Sequence, residues 1–187
     1  PKVFFRILNH VIEHPAYFRQ CRKQALKNAD LVLLFGTPLD FRLGYGDSIP
    51  ADATLIQIDL DGGEIGRNRR VDIGVVGDTG WVLSALNAAL APTSVPTWPT
   101  WIEQVRQFET KAIEKLRALA HETASAGVHP ISLCQHLNRY VDENTVVVGD
   151  GGDFVATAAY LLTPYGVGSW MDPGPLGTLG VGPGYAM

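Results

Sequence analysis

Leu31-Val32-Leu33-Leu34-Phe35 is an unbroken apolar run that stops at Gly36. It does not alternate, so it predicts a strand covered on both faces, as the strands of a parallel sheet are. Thr54 to Asp59 has the same character, and Val71 to Val76 is a shorter strand of the kind. Helical patterns separate them. Pro15 to Asn28 sets Tyr17, Phe18, Cys21, Ala25 and Leu26 on one face, with Arg19, Arg22, Lys23 and Lys27 on the other. Pro15 suits a first helical turn. Asp78 is placed to cap a helix running through Leu90. Strands alternating with helices predict an α/β fold with a parallel, Rossmann-like sheet.

Pro92, Pro96 and Pro99 then make a semi-rigid connector. It leads into a long amphipathic helix from about Thr100 to Ser125, with Trp101, Val105, Phe108, Ala112, Leu116 and Leu119 as its buried stripe. Glu109, Glu114 and Glu122 read as its solvated face, and Gly127 as its stop. A second α/β unit follows. It has a helix over Pro130 to Tyr140, a buried strand over Thr145 to Val148, a turn at Gly149 to Gly152 and a helix over Asp153 to Leu162. The expected division is residues 1–95, a linker and connecting helix over 96–127, and a second, truncated domain over 128–187.

Composition removes several classes. Charged residues are 18% and hydrophobic ones 46%, whereas disordered chains are richer in charge than the average of about 25%. A net charge of −4 leaves no basic footprint for nucleic acid and no polybasic stretch for a membrane surface. No apolar run approaches the roughly 20 residues a spanning helix needs. Cys21 and Cys134 are far apart, without metal-type spacing, and read as buried thiols of a cytoplasmic protein. His10, His14, His121, His129 and His136 do not pair at metal-ligand spacing with another His or Cys on a helix face. No G-x-S-x-G elbow or P-loop occurs. The chain begins at Pro1 without Met and stops within a Gly-rich stretch, so it is expected to be a piece of a longer protein.

Four stretches carry candidate chemistry. Gly149-Asp150-Gly151-Gly152 follows a strand and opens a helix, which exposes backbone N–H groups to an anion. The same turn can also form without a ligand. Asp172 to Gly184 holds Gly174, Gly177, Gly180, Gly182 and Gly184, and so allows another group to approach its backbone closely. Asp59 ends a strand, where an acid can accept hydrogen bonds from a ribose or simply shape a turn. Arg42, in Phe41-Arg42-Leu43-Gly44-Tyr45-Gly46, can hold a phosphate or carboxylate or be a surface arginine.

Taken together, these blocks resemble thiamine-diphosphate-dependent enzymes of the acetolactate synthase type. The block around Leu31 to Asp40, in ADLVLLFGTPLDFRLGYG, and Gln57 to Asn68, QIDLDGGEIGRN, look like parts of that family's central domain. Thr145 to Phe154, TVVVGDGGDF, is similar to the opening of its diphosphate-binding domain. Trp170 to Gly184, WMDPGPLGTLGVGPG, is similar to its cofactor-binding Gly-rich stretch. Benzaldehyde lyase-like and 2-hydroxyacyl-CoA lyase-like relatives share this layout.

The resemblance implies that Gly151, Gly152 and Asp153 contact the diphosphate, and that Gly177, Thr178 and Leu179 hold the aminopyrimidine. Leu179 would be the apolar wedge that bends the cofactor. It implies thiamine diphosphate with Mg²⁺, the metal ligands and the activating glutamate lying outside this chain, so that this chain alone is catalytically silent. Asp59 and Arg42 match positions where relatives hold FAD, so FAD or ADP in the central domain is a further expectation, although Pro38 replaces an arginine of the FAD-binding relatives. The implied reaction is decarboxylation of a 2-oxo acid such as pyruvate and ligation to a second carbonyl, in a homo-oligomer. The alternatives are a carbon–carbon lyase on the same cofactor and a non-catalytic Rossmann-like module that binds an adenine nucleotide.

Overall fold

The computed structural model describes residues 3–5, 16–94, 97–121, 127–166 and 168–187. The chain divides into two compact units, Pro1–Glu109 and Thr110–Met187.

The first unit is built on four parallel strands in the order β1 (Val3–Phe5), β2 (Leu31–Phe35), β3 (Thr54–Asp59) and β4 (Ile73–Val76). The apolar run of β2 is explained by its two faces. Val32 and Leu34 join Leu55 in a core with Cys21, Ala25, Leu26, Leu39, Leu43 and Ile49. Leu33 and Phe35 join Ile58 in a second core against Val82, Leu83 and Leu86. These last three lie on α2 (Thr79–Leu90), whose first turn is capped by Asp78 as expected, its Oδ1 accepting the Trp81 N–H at 3.0 Å. The strand β1 carries no sequence signal beyond three apolar residues. β4 starts two residues later than its pattern suggests. Asp72 engages Leu55 instead, with its carboxylate accepting the Leu55 N–H at 2.8 Å.

The first helix corrects the sequence reading. α1 covers only Arg22–Asn28, while residues 16–20 lie outside any helix and Pro15 lies outside the described residues. The cause is Glu109 on α3 (Pro99–His121), which is not part of a solvated face. Its carboxylate accepts the backbone N–H groups of Arg19 at 3.0 Å and of Gln20 and Cys21 at 2.8 Å each. Those donors therefore start the chain into α1 from outside, where residues of a longer helix would have bonded to carbonyls four positions back. Trp101 and Val105 of α3 are buried in the same core and Phe108 packs on it, as their stripe predicts. Cys21 is fully buried, and burial together with the Glu109 carboxylate pushes its thiol up to about 12. Burial and the raised thiol both disfavour the reactive thiolate. The expected helix end at Ser125 lies outside the described residues.

The second unit holds α4 (Pro130–Leu137), β5 (Val147–Val148), α5 (Gly152–Leu161), β6 (Trp170–Met171) and α6 (Gly182–Ala186), with β5 and β6 parallel. Its core is Cys134, Ala158 and Leu162, joined by Val141, Val147, Leu161 and Trp170. β5 is shorter than the expected Thr145 to Val148 and only half-buried. Thr145 is used locally, its hydroxyl bonding the Asp142 carboxylate at 2.7 Å and holding that carboxyl below its ordinary range. α4 stops at Leu137, three residues before Tyr140, where the Asn138 side chain turns to accept the Thr163 N–H at 2.8 Å.

Candidate functional site

In the second unit β5 runs into Gly149-Asp150-Gly151, and α5 begins at Gly152. The turn needs glycine for two separate reasons. Gly151 sits at φ +67°, where an L side chain is strained. A Cβ there would also lie 2.7 Å from both the Thr178 carbonyl oxygen and Leu179 Cδ2. The backbone of the turn thus lies directly against Thr178 and Leu179, although the two stretches are far apart in sequence. The N-cap residue of α5, Gly151, has no side chain with which to cap the first turn. A Cβ on Gly152 would meet nothing within 4 Å. The start of α5 is therefore an open set of N–H donors, with the positive end of a ten-residue helix behind it.

The Gly-rich segment is ordered by its own contacts. Asp172, at the end of β6, accepts the Trp170 indole N–H at 2.8 Å and the Gly174 N–H at 2.6 Å. A single turn over Gly174–Leu176 ends at Gly177, which is left-handed at φ +61°. Leu179 is 70% exposed and so contributes little to a core within this chain. Of the predicted residues, the structure brings Gly151 against Thr178 and Leu179, with Gly152 and Asp153 following Gly151 into α5 and Gly177 preceding Thr178. Asp153 sits in the first turn of α5, where its carboxylate is favoured by the helix but would oppose an anion.

Asp59 and Arg42 belong to the first unit. Asp59 stands at the carboxyl end of β3, and its Oδ1 accepts the Asp61 N–H at 3.0 Å. Arg42 pairs with Asp40 at 2.6 Å. Each is thus engaged with a residue two positions away. The loops that carry them are tied together by residues the sequence reading did not single out. The Arg69 guanidinium donates to the carbonyls of Gly46, Ile49 and Pro50 at 2.6 to 2.8 Å. The Asn68 side chain donates to Leu39 O at 2.8 Å. Fully buried Gln57 fixes the turn after β3 through Gly66 N–H and Glu64 O. A charged residue and two amides in QIDLDGGEIGRNRR were visible, but their partners are 7 to 29 positions away and carry no local signal. Among the described residues no group of three or more His, Cys, Asp or Glu could hold a metal ion. No described helix is long and apolar enough to cross a membrane.

Residues 12–86 match the family model described as the central domain of thiamine pyrophosphate enzymes. Over these residues the chain is a central domain of that family. Relatives extend the match across both units. A protein named 2-hydroxyacyl-CoA lyase 2 from Danio rerio is 38% identical over 178 residues, which is 92% of this chain and 28% of that protein. Its Homo sapiens namesake is 35% identical over 179 residues, 93% of this chain and 28% of the relative. An acetolactate synthase large subunit from Mycobacterium tuberculosis is 34% identical over 177 residues, 94% of this chain and 31% of the relative. The chain therefore spans somewhat more than a quarter of the length of these family members.

Proposed function

We propose that this chain supplies part of the cofactor cradle of a thiamine-diphosphate-dependent enzyme that decarboxylates a 2-oxo acid such as pyruvate and ligates the product to a second carbonyl. The observation that carries the cofactor assignment is the seating of Gly151 against Thr178 and Leu179 beside the uncapped start of α5. Those residues fit the group. Gly151, Gly152 and Asp153 offer backbone N–H groups to a diphosphate, and glycine at the first two keeps side chains out of its way. Gly177 and Thr178 border the ring, and Leu179 presents an apolar face to it. When bound, thiamine diphosphate with Mg²⁺ supplies a nucleophilic carbon that stabilises negative charge next to a carbonyl. The chain's own residues bind and bend the cofactor and exclude water from one side of it.

A second reading is cleavage of a 2-hydroxyacyl-CoA, favoured by the 38% identity of the Danio rerio relative. The complete protein, given thiamine diphosphate and Mg²⁺, separates the two. Turnover of pyruvate with release of carbon dioxide supports the first reading, and turnover of a 2-hydroxyacyl-CoA alone replaces it with the second. A protein that binds an adenine nucleotide but not thiamine diphosphate is a Rossmann-like binding module. We place the enzyme in the cytoplasm as a homo-oligomer, in keeping with two unpaired buried thiols and with a cofactor site that is completed by further chain.

Leu179 is the bending residue in this proposal. Because it is largely exposed here, Leu179→Ala is expected to change stability by less than about 1 kcal/mol. It should lower kcat about tenfold or more through loss of near-attack geometry. Leu179→Met keeps the volume and should retain activity. Steady-state kinetics with saturating cofactor and a thermal melt check this. Wild-type kcat in the alanine variant removes the wedge role.

In the first unit, Asp59 is proposed to orient the ribose of a bound FAD or ADP, with Arg42 in the neighbouring loop. Removing one charge-assisted hydrogen bond costs about 1.5–3 kcal/mol. Asp59→Ala should therefore weaken the nucleotide about tenfold to a hundredfold in calorimetric titration. Equal affinity in wild type and variant contradicts the assignment.

A further inference from the structure

A glycine-rich segment has unusual conformational freedom to lose, so something must keep it against the turn. Two carboxylates bracket it. Asp172 fixes its entry by accepting the Gly174 N–H at 2.6 Å. Asp150 fixes its exit from across the fold, its Oδ1 accepting the Val181 N–H at 2.8 Å over a sequence separation of 31. The approach is close. A Cβ on Gly182 would stand 2.9 Å from Asp150 Cβ, so the chain passes there only as glycine. Asp150 directly precedes Gly151, the residue that meets Thr178 and Leu179.

We infer that Asp150 is a positioning residue, whose carboxylate fastens Val181 so that Thr178 and Leu179 stay seated over Gly151 at the start of α5. It acts through the segment 177–181 and needs no contact with cofactor. Its Oδ1 accepts a backbone N–H, which an asparagine side-chain oxygen can also accept. This inference rests on the cofactor reading above.

The test uses the complete protein and two variants, Asp150→Ala and Asp150→Asn. Hydrogen exchange is followed across residues 177–182 without cofactor, and thiamine diphosphate affinity is measured by titration in the presence of Mg²⁺. Loss of a charge-assisted bond should speed exchange at Val181 about tenfold or more in Asp150→Ala and weaken the cofactor by a similar factor. Both readouts should return to within about threefold of wild type in Asp150→Asn, since the neutral acceptor keeps the bond at reduced strength. Unchanged exchange in Asp150→Ala overturns the fastening. Faster exchange with unchanged cofactor affinity overturns the positioning role. A wild-type protein that does not bind thiamine diphosphate overturns the cofactor reading and this inference with it. That result is distinct, because exchange in the cofactor-free protein still reports on the Asp150–Val181 bond.

Discussion

Gly151→Ala is expected to weaken thiamine diphosphate binding to the complete protein about a hundredfold or more. Two effects combine. The residue sits at φ +67° and ψ 179°, an essentially glycine-only region where alanine is strained by roughly 1–3 kcal/mol. The added Cβ would also stand 2.7 Å from the Thr178 carbonyl oxygen, well inside contact distance, so the turn and the Gly-rich segment must separate. Separation moves the donors at the start of α5 away from Leu179, and a cofactor that needs both loses one of them. Gly152→Ala provides the comparison. It is also at positive φ, at +77°, but its Cβ would meet nothing within 4 Å. It should therefore carry the backbone strain without the displacement, and lose about tenfold in affinity. Equal losses in the two variants would show that the close approach at Gly151 has no part in binding.

Glu109→Ala is expected to destabilise the first unit by about 2–4 kcal/mol. One carboxylate accepts three consecutive backbone N–H groups, of Arg19, Gln20 and Cys21. Truncation leaves three donors to find water at a partly buried position, and orphaned groups there cost about 1–3 kcal/mol each before relaxation. Residues 16–20 lie outside any helix or strand, so relaxation there breaks no regular structure. Glu109→Gln keeps one oxygen acceptor and should lose about half as much. Hydrogen exchange at residues 19–26 of the complete protein measures the effect locally. Protection equal to wild type in the alanine variant would mean that the three bonds contribute nothing to the order of α1.

The two predictions differ in how far their residues can be read from sequence. The apolar run of β2 and the Asp78 cap express local rules, a period and a position, and the structure follows them. The Gly-rich segment and the GDGG turn were also visible as unusual composition. Their meeting was not, because the contact of Gly151 with Thr178 depends on β5 pairing with β6, and β6 is a two-residue strand with no pattern of its own. Glu109 was misread for a related reason. On α3 it occupies a place consistent with a solvated face, and only the path of residues 19–21 turns it inward. Where a carboxylate serves backbone amides distant in sequence, as Glu109 and Asp150 do, helical periodicity carries no trace of the partner.

The central claim is that the GDGG turn and the segment 177–181 form one side of a thiamine diphosphate site. The most direct measurement is a crystal structure of the complete protein with thiamine diphosphate and Mg²⁺ bound. The account predicts diphosphate oxygens within hydrogen-bonding distance, about 2.7–3.2 Å, of backbone N–H groups among Gly151, Gly152 and Asp153, with the Leu179 side chain against the cofactor ring. A cofactor bound elsewhere, with the start of α5 open to solvent and Leu179 away from the ring, would contradict it.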